Sequence, residues 1–198
     1  MRVCLIRHAS TAWSEEGRIQ GRTDVPLSPA GRAQVASWRL PAGFAEGRCV
    51  TSPLARARET AALLGFPDAP ADDRLAEMRW GAYQGRRLAE LRDELGEAFA
   101  ENERRGLDFR PPGGGSPREV VARLACFLRE AAASGRGDLL LVTHKGVLRA
   151  ALVLALGWDM RAKPPVRDDP ERAVLLSVDP DGTPSFLASE PLRPGTEA

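Results

Sequence analysis

The chain contains two histidines, and both close apolar runs: Val3-Cys4-Leu5-Ile6-Arg7-His8 at the amino terminus and Leu139-Leu140-Leu141-Val142-Thr143-His144 much later. Such runs mark buried strands, so each imidazole emerges at a strand's carboxyl end, with Arg7 beside the first. Open α/β sheets place their chemistry at that edge. Arg56 follows a Ser52-Pro53 start that predicts a helix, and falls in its first turn. Free N–H groups and the helix dipole favour an anion there, and a guanidinium adds charge-assisted hydrogen bonds. Arg58, two residues on, points to another face. Glu77 stands at an element's edge next to Met78 and Trp80, a setting that suits a proton donor. Together two histidines and two arginines converge at strand-end positions, with a carboxyl group nearby, which describes an anion site.

Bringing them together requires alternating strands and helices. The pattern predicts a three-layer α/β/α sandwich with a mostly parallel central sheet and an antiparallel edge. After the first strand, residues 10–25 read as a long loop. A helix opens at Ser28-Pro29 and runs to Leu40-Pro41, and a second strand covers Arg48 to Thr51. Met78 to Gly85 reads as an irregular packed loop, and 86–103, with Leu88, Leu91, Leu95 and Phe99 at helical spacing, as an amphipathic helix covering the site or the sheet end. Pro111-Pro112-Gly113-Gly114-Gly115 breaks the chain before Ser116 and Glu119 form a capping box for the longest buried helix. The continuous apolar run before His144 predicts a central parallel strand, and the helix after Lys145 stops near Gly157. Segments 173–179 and 185–189 form an edge hairpin, and the tail past Pro191 frays.

Residues 1–198 are expected to form a single domain, without internal repeat or linker. With 28 Lys+Arg against 27 Asp+Glu there is no bias towards nucleic acid. Cys4, Cys49 and Cys126 are distant and odd in number, which predicts reduced core residues rather than disulfides or a metal knuckle. No stretch approaches the length of a membrane span, and the start lacks a signal peptide's long apolar region. A cytoplasmic protein with neither membrane nor nucleic-acid partner is expected, as a monomer or a homodimer.

The segment Leu5-Ile6-Arg7-His8-Ala9-Ser10-Thr11, with Gly17-Arg18-Ile19-Gln20-Gly21 and Leu27-Ser28-Pro29-Ala30-Gly31, resembles the signature of the histidine phosphatase superfamily, phosphoglycerate mutase-like branch. Ser52-Pro53-Leu54-Ala55-Arg56-Ala57, the Glu77 segment ending Gly81-Ala82-Tyr83-Gln84-Gly85, and Val142-Thr143-His144-Lys145-Gly146-Val147-Leu148-Arg149 are similar to its later motifs, in order.

The resemblance implies two-step phosphoryl transfer with His8 as nucleophile, without a metal or other cofactor. Arg7, Arg56 and His144 would neutralise the phosphoryl oxygens, and Glu77 would handle the proton. Ser14, Gln20 and Gly21 would lie near the phosphate or substrate. Ala9 and Lys145 stand where the family usually has glycine, Ser14 where it has asparagine, and Gly115 where it has glutamate. Lys145 is expected to point to solvent. The mutases' long basic insertion after the glutamate is shorter here, and the Gly-rich loop is similar to that of α-ribazole phosphatase and fructose-2,6-bisphosphatase-type phosphatases. The expectation is a phosphatase for a small phosphorylated metabolite; the alternatives are a mutase-type phosphoryl transferase and a non-catalytic module that binds a phosphorylated ligand.

Overall fold

A computed structural model of the chain describes residues 1–167 and 169–192. Five strands form one sheet: β1 (Arg2–Arg7), β2 (Arg48–Thr51), β3 (Leu139–Thr143), β4 (Arg172–Val178) and β5 (Pro184–Pro191), in the order β2-β3-β1-β4-β5. β1 and β2 run parallel to β3, whereas β4 pairs antiparallel with β1 and with β5. The expected mixed α/β sandwich, parallel in its centre and antiparallel at one edge, is the one observed.

The two sheet faces follow from strand alternation. Val3 and Leu5 of β1, with Leu139 and Leu141 of β3, feed one core, together with α4 (Leu88–Arg104), α5 (Pro117–Ala133) and α6 (Lys145–Leu156). Cys4, Ile6, Leu140 and Val142 feed the other, beneath α2 (Pro29–Ala36) and α3 (Ala55–Leu63). Every residue of β3 is buried, which is why its sequence reads as continuous rather than alternating.

Several local expectations are corrected. Residues 10–25 are not all loop: Thr11 and Ser14 form a reciprocal capping box that nucleates one turn, α1 (Ala12–Glu15). α2 stops at Ala36, short of Leu40. α3 starts at Ala55 with Leu54 at its N-cap, so Ser52 is not the cap. α4 is broken at Gly96, whose φ of 50° and ψ of −124° interrupt the helix. Within Met78 to Gly85, Gly81–Tyr83 forms a 3-10 turn. Cys4 and Cys49 are buried, but Cys126 is exposed on α5. Leu192 is buried and hydrogen-bonded to Glu171 and Arg39; the rest of the tail lies outside the described residues. Among the described residues, no helix is long and apolar enough to cross a membrane.

Candidate active site

Parallel register aligns the strand ends. Arg7 faces Thr143 and Thr51 faces Val142, and the ladder continues one step as His8 N–H donates to the Thr143 carbonyl (2.9 Å) and Ser52 N–H to that of Val142 (3.0 Å). His8, Ser52 and His144 thus leave the sheet at one level. His8 Nδ1 lies 2.7 Å from the Ala9 carbonyl oxygen, which can only accept, so Nδ1 carries the proton. Nε2 keeps its lone pair and accepts from Arg56 Nε–H at 3.2 Å. Burial, then Arg7 and Arg56, hold the His8 pKa well below the usual imidazole range. The ring is neutral, oriented and nucleophilic.

Arg56 is fully buried. Its other nitrogens donate to the carbonyls of Gly21 (2.7 Å) and Thr23 (2.9 Å). Burial lowers its pKa to about 10, which leaves it cationic. Thr60, one turn on, donates to the Arg56 carbonyl (2.7 Å) and accepts from Ala9 N–H (3.2 Å), fixing α3 against the turn that carries His8. Arg58 is exposed, as its spacing from Arg56 predicts. The N-terminus of α3 already holds an anion of the chain itself: Asp24 Oδ1 accepts from Ala55 N–H at 2.7 Å.

His144 lies against His8, ring centroids 5.1 Å apart. Its Nε2 is 2.6 Å from Ser52 Oγ, while its buried Nδ1 has no hydrogen-bond partner among the described residues. A buried polar atom of that kind fits a ligand's oxygen. Burial lowers the pKa of His144 well below the usual range, aided by His8, Arg56, Arg7 and Arg123.

Glu77 lines the same cleft as His8 and Arg56. Its Oε1 accepts from Met78 N–H (2.7 Å) and its Oε2 from Gly146 N–H (3.2 Å) in the first turn of α6. A Cβ on Gly146 would come within 2.2 Å of Oε1. Gly146→Ala should therefore raise helix propensity by roughly 0.5–1 kcal/mol yet lower kcat on the order of 10²-fold by displacing the carboxylate. Thermal melts beside turnover numbers check this; a variant as active as the parent would show that the Glu77 position is immaterial.

A cleft of about 820 Å³ connects Arg7, His8, Arg56 and Glu77. Gln20 and Gly21 line it, as does Ser14, whose hydroxyl is meanwhile held by Thr11 N–H at 2.8 Å. Gln20 is nine-tenths buried and its Oε1 has no partner among the described residues. Lys145, expected to point to solvent, is half-buried and lines the cleft instead. The Gly-rich loop at 111–115 is not part of this wall; it packs on the Glu77 segment, Ala82 N–H donating to the Pro112 carbonyl (2.9 Å) and Gly115 N–H to that of Arg79 (2.9 Å).

The model of histidine phosphatase superfamily branch 1 matches residues 3–185. The chain belongs to this superfamily. It is 36% identical over 163 residues to a 2,3-bisphosphoglycerate-dependent phosphoglycerate mutase of Methylobacterium sp. (strain 4-46), covering 77% of this chain and 78% of that one. It is 32% identical over 162 residues to the 2-carboxy-D-arabinitol-1-phosphatase of Triticum aestivum, covering 79% of this chain and 32% of that longer protein. The crystal structure of a phosphoglycerate mutase from Thermus thermophilus superposes with a TM-score of 0.73 at 33% identity, covering 97% of this chain and 99% of that one. Superfamily relatives thus include both mutases and phosphatases.

Within this histidine phosphatase fold, sequence reasoning missed Arg123. Its guanidinium, on α5, donates to the carbonyls of Arg74 and Ala76 and so clamps the turn that delivers Glu77. Burial lowers its pKa to about 10. The available signal was an arginine on the helical stripe of Val120, Leu124 and Phe127, a face otherwise destined for the core.

The two neutral imidazoles give the fold a pH dependence. Their folded pKa values are depressed, so below about pH 6.5 the unfolded chain binds protons that the folded chain does not. Stability should be full above that pH and fall as pH drops towards the folded values, by up to about 1.4 kcal/mol per pH unit for each ring. The lowered carboxyl groups of Asp72, Asp108 and Asp138 act in the same direction, but only below about pH 4. Denaturant titrations at about pH 7.5 and about pH 5.5 check the slope; equal stability at both would contradict neutral rings.

Proposed function

We propose that this chain is a metal-independent phosphomonoesterase acting on a small phosphorylated metabolite through a phosphohistidine on His8. The observation that carries this reading is the His8 ring itself: proton fixed on Nδ1 by the Ala9 carbonyl, lone pair on Nε2 beside two arginines. Nε2 attacks phosphorus, and the N–P bond forms as the P–O bond to the alcohol breaks. Protonated Glu77 gives its proton to the departing oxygen. Arg7, Arg56 and His144 stabilise charge on the three remaining phosphoryl oxygens. In the second step Glu77, now a carboxylate, takes a proton from water as the water oxygen attacks phosphorus. The N–P bond returns its pair to Nε2, leaving phosphate and a protonated Glu77. Splitting one displacement into two lets the same carboxyl group serve as acid and then base.

Water is favoured as acceptor by the breadth of the cleft, whose rim includes the exposed side chains of Arg92 and Arg104 on α4. Transfer to a second phosphorylated acid is the competing reading, and the cations Lys145 and Arg149 in the cleft favour it. The test is release of phosphate from an alkyl monophosphate with chelator present, followed by acid and alkali treatment of quenched protein. Chelator-resistant turnover with an acid-labile, alkali-stable phosphoryl label supports the phosphatase. Turnover without such a label overturns the mechanism, and transfer to 3-phosphoglycerate faster than to water makes the protein a mutase.

A further inference from the structure

The cleft is mixed in character. Besides Arg7, His8, Arg56, Glu77 and Gln20, its lining includes the apolar side chains Ile19, Met78, Trp80, Leu88, Phe99 and Phe109, with Arg92, Glu103 and Arg104 of α4 also reaching it. Trp80 is half-buried and tilted on Phe109, ring centroids 5.4 Å apart at 57°, and Phe109 in turn meets Phe99 edge-on at 6.1 Å. The stack is fixed: Phe99 and Phe109 are core residues, and only the outer member, Trp80, is left half-exposed on the cleft. Trp80 also stands three residues after Glu77 on one short segment. The group that protonates the departing oxygen and the aromatic surface beside it are therefore placed together, so whatever is attached to that oxygen runs towards Trp80.

We infer that the site selects monophosphate esters whose alcohol carries an apolar, ring-sized body that packs on Trp80 and Leu88. This rests on the phosphomonoesterase reading and names its substrate class. A three-carbon polar acid would leave that apolar lining wet and fill a small part of about 820 Å³. An apolar ring covers it, and burying several carbon atoms in a preformed pocket corresponds to on the order of 10²-fold in kcat/KM. Lys145 and Arg149, one helical turn apart, are the feature that would instead suit a second anionic group, and the test includes that case.

The experiment compares kcat/KM for 2-phenylethyl phosphate, ethyl phosphate and 3-phosphoglycerate on the full chain. The first two have alcohols of similar basicity, so their ratio reports the body and not the leaving group. A ratio on the order of 10² is expected, with Trp80→Ala and Leu88→Ser each reducing it at least about tenfold and Trp80→Phe restoring most of it. Leu88→Ser, on a different element from Glu77, keeps the test open if Trp80→Ala does not fold. A ratio near one, or preference for 3-phosphoglycerate, overturns the inference and leaves the phosphatase reading standing. No turnover and no phosphoryl label with any of the three overturns both.

Discussion

His8→Ala should lower kcat on the order of 10⁴-fold or more and abolish the acid-labile phosphoryl label. No second nucleophile stands ready among the described residues. His144, the other imidazole, has its Nε2 engaged within 2.6 Å of Ser52 Oγ. Fold integrity is expected to survive: removing a buried imidazole leaves a small cavity costing about 1–3 kcal/mol, and it also takes away the acceptor of Arg56 Nε–H. Phosphate affinity should persist, because Arg7 and Arg56 remain. Isothermal titration with inorganic phosphate, beside the turnover assay, separates these outcomes. Substantial turnover with the label still present would place the covalent bond on another residue.

Glu77→Gln has the second largest expected effect. The amide keeps the size of the carboxyl group and its single oxygen can accept from one of the two N–H groups, that of Met78 or that of Gly146, but it can neither give nor take a proton. With an alkyl phosphate the loss should be about 10²–10⁴-fold, since a basic alkoxide must be protonated as it leaves. With a nitrophenyl phosphate the first step needs little protonation, so the phosphoenzyme should form and then wait for water that nothing activates. A burst of nitrophenol followed by slow turnover is the signature. Equal losses for both esters and no burst would remove Glu77 from proton transfer.

Strand-end placement of His8 and His144 was legible because buried parallel strands write themselves as apolar runs, and the chain has just two imidazoles to place. Arg56 could be put in a first turn by its Ser-Pro start, although the start itself was misread. Ser52 looks like an N-cap by type, yet its hydroxyl is drawn to His144, and α3 begins three residues later. The Ser52 oxygen keeps a local bond from Leu54 N–H (3.3 Å), but its second partner lies 92 positions away in sequence, where local capping preferences cannot point. Lys145 escaped for a similar reason: nothing local distinguishes a lysine facing a cleft from one facing solvent. Arg123 is marked in sequence only by its place on an apolar helical stripe; its role is not, because its partners are main-chain carbonyls, which carry no residue type. The break at Gly96 was invisible because Leu91 and Leu95 before it and Phe99 after it keep helical spacing through it.

Arg56 donates to a ring nitrogen and two carbonyls, none of which bears a formal charge. Together with two imidazoles held neutral, it leaves the resting protein with positive potential that its own carboxylates only partly offset. An oxyanion completes this electrostatic balance, so the leaving product resembles a missing counter-ion as much as a spent reactant. On the proposed phosphatase reading, the same attraction that captures an ester retards release of the free anion. In a phosphate-rich cell the protein would gain thermal endurance at the expense of throughput, and phosphate scarcity would quicken it.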